Sequence, residues 1–357
     1  MMIQFISALV IVFASFSITS CSSNEALNSP ENEIENNHDA AVDNSDTESS
    51  NEENPTEEEE VEEEAEETEE TTAEPCGSLN PSLSPSENFD LSSWYISLPT
   101  DNDNNGKADS TYEAALNNGF EHPDYFYTGE DGGMVFRCPV QGATTSSNTK
   151  YVRVELREML RNGDTSIKNT GVNKNNWVFS SAPTEDLNAA AAVDGEMSAT
   201  LAVNKVTTTG SNGHIGRLII GQIHANTDEP IRIYYRKLKD NTLGSIYFAH
   251  EINHGEDTYY YMIGDRGNNS ENPEDGIALN EKFSYTIKVV GNEMWVTLSR
   301  EGKEDIIQYV DMSESGYDEG GQYQYFKAGI YHANNTGDDD DYAQVTFYEL
   351  ETSHTQL

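Results

Sequence analysis

The sequence predicts an all-β fold, a β-jelly-roll sandwich of two antiparallel sheets, and three observations lead there. From residue 90 onward the chain breaks into about a dozen short runs rich in Val, Ile, Thr and Tyr. Turn-forming pairs such as Asn162-Gly163, Asn212-Gly213 and Gly291-Asn292 punctuate them. One segment alone, TYEAALNNG (111–119), carries a helical pattern, with Gly119 placed to cap its end. Strands without alternating helices pack as two antiparallel sheets, because a parallel sheet would need a crossover helix between each pair.

In chain order, residues 2–20, MIQFISALVIVFASFSITS, form an apolar run that ends in small residues before Cys21. That is the shape of a secretory signal. The run is barely long enough to cross a bilayer and lacks basic flanks, which argues against a membrane-spanning helix. Ile18-Thr19-Ser20-Cys21 resembles the lipobox of bacterial lipoproteins, although the usual Lys or Arg near the start is missing. The resemblance implies a signal peptide over 1–20, a lipid (palmitate included) on Cys21 and anchoring to the outer membrane, surface exposure included; an ordinary cleaved signal and secretion is the alternative. Residues 22–75 hold 22 Asp or Glu and no Lys or Arg, culminating in EEEEVEEEAEETEE (57–70). Such a segment cannot bury enough apolar surface to offset its ordering entropy. Residues 21–75 therefore read as an acidic disordered linker, and 76–357 as one folded domain.

The folded part carries 42 acidic and 20 basic residues. This balance excludes the broad basic field of a nucleic-acid binder. A polyanionic ligand would need a local cluster of cations. Cys76 and Cys138 are a candidate disulfide in an exported chain, with two free thiols as the alternative, and no spacing suggests zinc.

The predicted strands begin with WYISL (94–98), MVFRCPV (134–140), YVRVELREM (151–159) and EMSATLAV (196–203). GRLIIGQIH (216–224), IRIYYRKL (231–238), SIYFAHE (245–251) and TYYYMI (258–263) follow. FSYTIKVV (283–290), MWVTLSR (294–300), YQYFKAGIY (323–331) and AQVTFYEL (343–350) complete the set. The third is ambiguous alone, since Glu, Arg, Leu and Met favour helices. It alternates strictly, however, and runs into the turn Arg161-Asn162-Gly163-Asp164, so strand is the better reading.

As a strand it aligns Arg153, Glu155 and Arg157 on one face and Val154 and Leu156 on the other. Gln222 and His224 likewise share a face, although the flanking Ile220 and Ile223 form no unbroken apolar row. In YFKAGIY, Tyr325, Lys327, Gly329 and Tyr331 share one face, and Phe326, Ala328 and Ile330 the other. Taken singly, each row has an ordinary explanation as a solvated strand face. Together they are the groups needed to handle an anionic sugar.

Arg153-Val154-Glu155-Leu156-Arg157, Gln222-Ile223-His224 and Tyr325-Phe326-Lys327-Ala328-Gly329-Ile330-Tyr331 resemble, in order, the three signature motifs of the family 7 polysaccharide lyases, the alginate lyases. The resemblance covers essentially all of residues 90–350, including FYTGEDGGMVFRCP (126–139). It implies a jelly roll with a concave cleft and eliminative cleavage of a 1,4-linked polyuronate, by endo action. By carry-over, Arg153, Gln222, His224 and Tyr331 are catalytic. Arg153, Gln222 and His224 neutralise the substrate carboxylate, Tyr331 donates to the leaving oxygen, and His224 serves as base where the C5 proton lies on the opposite face. Glu155, Arg157, Tyr325 and Lys327 bind substrate, with Glu155 orienting the arginines. Gln-Ile-His in place of Gln-Val-His implies a preference for guluronate blocks. One departure stands out: the family continues Tyr-x-Gln, and here that Gln position is Ala333.

The mechanism so implied requires no cofactor or metal. DNDNNGKAD (101–109) does resemble the start of a calcium loop, with Asp101, Asp103, Asn105, Gly106 and Asp109 at its positions. The twelfth position is Tyr112, with Glu113 one place late, so a structural calcium there is the weaker expectation. The run Asp338–Asp341 reads as a solvated loop. The expected partners are alginate and, through the Cys21 lipid, a membrane, with the chain otherwise a monomer. The alternatives are a lyase for another polyuronate such as glucuronan, a glycoside hydrolase, and a non-catalytic carbohydrate-binding module. A hydrolase would need two carboxylates flanking the bond. A binding module would have no need for the His, Tyr, Gln and Arg set.

Overall fold

The computed structural model describes residues 79–355. Cys21, Cys76 and the expected signal and linker segments lie outside the described residues. Seventeen strands follow in chain order: β1 (Trp94–Ser97), β2 (Ser110–Thr111), β3 (Phe126–Thr128), β4 (Met134–Pro139), β5 (Arg153–Glu158) and β6 (Trp177–Val178). Next are β7 (Ala192–Lys205), β8 (Arg217–His224), β9 (Ile231–Arg236), β10 (Leu243–Glu251), β11 (Asp257–Ile263) and β12 (Ile277–Ala278). β13 (Lys282–Val290), β14 (Glu293–Ser299), β15 (Ile306–Asp311), β16 (Tyr325–His332) and β17 (Tyr342–Thr355) complete the chain.

One sheet runs β11-β10-β9-β8-β16-β5-β1-β2 and the other β15-β14-β13-β7-β17-β4-β3, all antiparallel along these paths. All twelve predicted strands are present. The helical pattern survives only as a single turn, Glu113–Leu116, with Gly119 at φ +79°. Four residues make no amphipathic helix, and the turn is anchored instead by Leu116, which is fully buried in the core.

Between the sheets lies one apolar core, to which β5 gives Val154 and Leu156, β16 gives Phe326, Ala328 and Ile330, and β8 gives Ile220 and Ile223. A spacing of three on one face needs an irregularity, and β8 has one, a register shift between Ile219 and Gly221 against β9. Two consecutive residues, Ile220 and Gly221, thereby face the core. The Tyr285 hydroxyl reaches across from β13 and donates to the Ile220 carbonyl at 3.0 Å, and a Cβ on Gly221 would collide with that hydroxyl. β16 shifts register at the facing position, between Ala328 and Tyr331. Gly329 there has φ +127°, a conformation open to glycine, and an added Cβ would meet the Val154 carbonyl at 2.7 Å and the Phe136 ring at 2.9 Å. This corrects the alternation read from sequence: Gly329 does not share the face of Lys327 and Tyr331.

One other expectation changes. Asp341 is not solvated; it is 7% exposed and accepts bonds from the Thr208 and Thr209 amides, the Thr209 hydroxyl and Lys205. These contacts hold its carboxyl at about 2 despite burial. Cys138 is buried, and its candidate partner Cys76 lies outside the described residues.

Candidate active site

The three polar rows come from adjoining strands, and register sets them side by side. Tyr331 lies opposite Arg153, Gly329 opposite Glu155 and Lys327 opposite Arg157. Across the other edge of β16, Lys327 faces Gln222 and Tyr325 faces His224. The apolar alternates of all three strands are in the core, so the polar set stands on the outer face of the first sheet.

Glu155 is the hub. It is 2% exposed, accepts bonds from Gln222 and from Arg153 (2.8 Å), and pairs with Lys327. Burial alone would raise its pKa, but the Lys327 and Arg153 charges prevail and hold the carboxyl below the usual range. A carboxylate so engaged has no proton to give and orients its partners. Burial and the neighbouring Arg153 bring Lys327 down to about 8, against the pull of Glu155.

The Arg153 guanidinium lies 4.0 Å over the Tyr331 ring. Burial raises the Tyr331 pKa more than Arg153 lowers it, so Tyr331 stays a phenol. The His224 ring stacks on Tyr325, with centroids 5.1 Å apart and an angle of 10°. Its Nδ1 is 2.7 Å from the Ala225 carbonyl, which can only accept, so Nδ1 carries the proton and Nε2 the lone pair. Burial lowers the His224 pKa, Glu229 opposes this, and Lys327 and Arg153 add to the lowering. The imidazole is therefore neutral near pH 7. That Arg153 acts on both Tyr331 and His224 places all three in one field.

Arg157 differs from Arg153. It is 4% exposed and donates to Asn176 Oδ1 (2.9 Å) and to the Glu158 (2.9 Å) and Asn169 carbonyls, with its plane 3.9 Å over Tyr325. It braces the Tyr325–His224 stack and has little hydrogen-bonding capacity left for a ligand. Ala333 is buried and offers no amide.

Sequence reasoning missed a fourth row. Arg232, Tyr234 and Arg236 alternate within IRIYYR, and that signal was available. Tyr234 stacks on Tyr247 at 4.9 Å and 9°, and with Ile219 and Ala249 they form a small apolar floor against which Tyr331 packs. Glu229, on the loop before β9, lies 3.3 Å from His224 Nε2. Behind it Arg232 meets Glu229, Glu251 and Asp257. Burial drives Glu251 up to about 8, so it holds a proton near pH 7, whereas at Glu229 burial is outweighed by the charges of His224 and Arg232, which keep its carboxyl below the usual range.

In the 101–109 loop, Asp101 accepts the Asn105 and Gly106 amides (2.9 and 3.0 Å), and Asp109 accepts from Thr100 and Asn102 (both 2.7 Å). Glu113 instead pairs with Arg161 at 2.8 Å. Among the described residues no three His, Cys, Asp or Glu side chains are grouped to hold a metal.

Residues 89–354 match the family model described as alginate lyase. The chain belongs to the alginate lyases of polysaccharide lyase family 7. It is 54% identical over 280 residues to an alginate lyase of Klebsiella pneumoniae, spanning 76% of this chain and 91% of that one. The crystal structure of the alginate lyase from that organism superposes with a TM-score of 0.75, covering 98% of its chain. Alginate lyase A1-II′, a family 7 member, is 25% identical with a TM-score of 0.54, covering 77% of this chain and all of that one. The exolytic family 7 lyase AlyA5 of Zobellia galactanivorans, 24% identical, shares the fold at a TM-score of 0.56, covering 76% of this chain and 98% of that one. Two antiparallel sheets thus form a family jelly roll, and the chain is a polysaccharide lyase.

Proposed function

We propose that the protein cleaves the 1,4-linkages of alginate by β-elimination, within the polymer and with preference for guluronate-containing blocks. The observation that carries this is the pairing, on one face, of a neutral imidazole with a protonated phenol beside the Arg153 guanidinium. His224 Nε2 takes the C5 proton, the C5 electron pair forms the C4–C5 double bond, and the C4–O bond breaks as Tyr331 protonates the leaving oxygen. Arg153 and Gln222 neutralise the substrate carboxylate, so the charge that develops beside it costs less. As Nε2 gains its proton, Glu229 stands ready to balance the imidazolium. Lys327 keeps Glu155 ionised, and Arg157 with Tyr325 positions His224. Endo action is supported by the cleft face continuing both ways, to Tyr95 and Tyr112 (5.3 Å apart) on one side and to Tyr234, Tyr247 and the Arg266–Tyr259 pair (3.9 Å) on the other. The Cys21 lipid and acidic linker would hold this domain off the outer membrane.

Ultraviolet absorbance of the C4–C5 double bond tests the reading on separate polyguluronate, polymannuronate and mixed blocks. The fastest rise is expected on polyguluronate, with long products early. A rise only on polymannuronate transfers the base role to Tyr331, and no rise on any block overturns the elimination.

A further inference from the structure

Tyr151 stands two residues before Arg153, and Val152 between them is in the core, which puts the Tyr151 ring on the cleft side. It meets the Tyr331 ring edge-on at 5.9 Å, lies 6.0 Å from the His214 ring, and has the Lys150 ammonium 5.3 Å from its centroid. Its phenol is one of the groups acting on the ionisation of Tyr331, so the two polar ends lie in one field. Tyr151 is 7% exposed, and its hydroxyl is buried with no hydrogen-bond partner among the described residues. Buried hydroxyls are seldom left so, because the hydration given up is returned only by a partner.

The neighbouring cleft groups sharpen the contrast. Glu155, Gln222, Lys327 and Arg157 are engaged by one another, by Arg153 and Asn176, or by the backbone. Among the described residues nothing uses the Tyr151 oxygen, while the ring itself is well packed. A polar atom held rigid and unspent beside the reacting centre is preorganised for a ligand.

We propose that Tyr151 is a further substrate-contacting residue, its hydroxyl hydrogen-bonded to an oxygen of the uronate chain next to the Tyr331 phenol. The inference rests on reading this face as the lyase site. Because a hydroxyl both donates and accepts, it fits a sugar hydroxyl or a carboxylate oxygen equally.

Tyr151→Phe removes one oxygen and keeps the packing against Tyr331. In the full chain acting on alginate, kcat/KM should fall about tenfold or more while the melting temperature holds or rises. Calorimetric titration of a short alginate oligosaccharide into Tyr331→Phe, with and without Tyr151→Phe, should show a several-fold weaker Kd for the double variant. Activity within twofold of the parent and an unchanged Kd would overturn the proposal, and so would a melting temperature that drops in step with activity. If the parent chain forms no unsaturated product, the lyase reading fails instead, and the titration still decides whether Tyr151 touches the sugar.

Discussion

Glu155 and Glu158 sit three residues apart on β5, both buried carboxylates on opposite faces of one strand. Glu155 faces the cleft, where it balances Arg153 and Lys327 and holds Gln222. Glu158 faces inward, accepts the Phe326 amide at 3.2 Å, and meets His354 Nε2 at 2.8 Å. His354 Nδ1 donates in turn to the Asp194 carbonyl at 2.7 Å. Since β5 and β16 belong to one sheet and β7 and β17 to the other, Glu158 ties the two layers through the core. The same chemistry in the same strand thus serves two ends. Around Glu155 two cations, Arg153 and Lys327, face one carboxylate, whereas Glu158 and His354 close on each other and on the backbone.

Substitutions can break or sharpen that contrast. Tyr331→Phe should have the largest effect, lowering kcat by about 10²–10⁴ with stability unchanged, as read by initial absorbance rates and thermal melts. Glu155→Gln should lower both, because it leaves the buried Lys327 and the half-buried Arg153 unbalanced. A stability loss of about 3–5 kcal/mol in urea melts, together with a fall in kcat/KM, is expected. A stable Glu155→Gln that kept its activity would erase the distinction drawn between the two carboxylates.

His354→Gln should lose about 1–3 kcal/mol of stability and leave kcat alone. Burial would lower the His354 pKa, but the Glu158 carboxylate beside it prevails and raises it. Its contribution is therefore complete below the unfolded value of about 6.5 and declines as pH rises through the higher folded value. Thermal melts of the parent chain should fall over that window, and those of the variant should not. Ile223→Val should do least. Ile223 is fully buried in the core and does not reach the cleft. About 0.5–1.5 kcal/mol of stability should go, and any change in the ratio of guluronate to mannuronate rates must come through the position of His224.

The strands that carry the cleft were legible because each has an apolar face to bury, and period-two alternation records that directly. Of the five strands missed, β2, β6 and β12 are two residues long and β3 three, while β15 is an edge strand with Ile307 and Tyr309 exposed, so neither kind leaves a clear pattern. The functional rows were legible for the same reason in β5. In β8 and β16 the pattern was blurred, since paired bulges shift side chains by one position. Glu229 and the role of Tyr151 were not legible, because a loop glutamate and a tyrosine at the start of a predicted strand look ordinary until something is packed against them.

The sequence by itself determined the class of fold, the strands, and the presence of Arg, Glu, Gln, His, Lys and Tyr on faces that turn away from the core. Those follow from local periodicity, which depends only on residues a few places apart. The tertiary structure decided which strands adjoin, where the bulges fall, and which of the two arginines of β5 is spent on the protein. It also decided which tyrosine hydroxyl is left unpaired. These depend on partners many residues distant, and a buried charge or hydroxyl takes its ionisation and its role from what surrounds it.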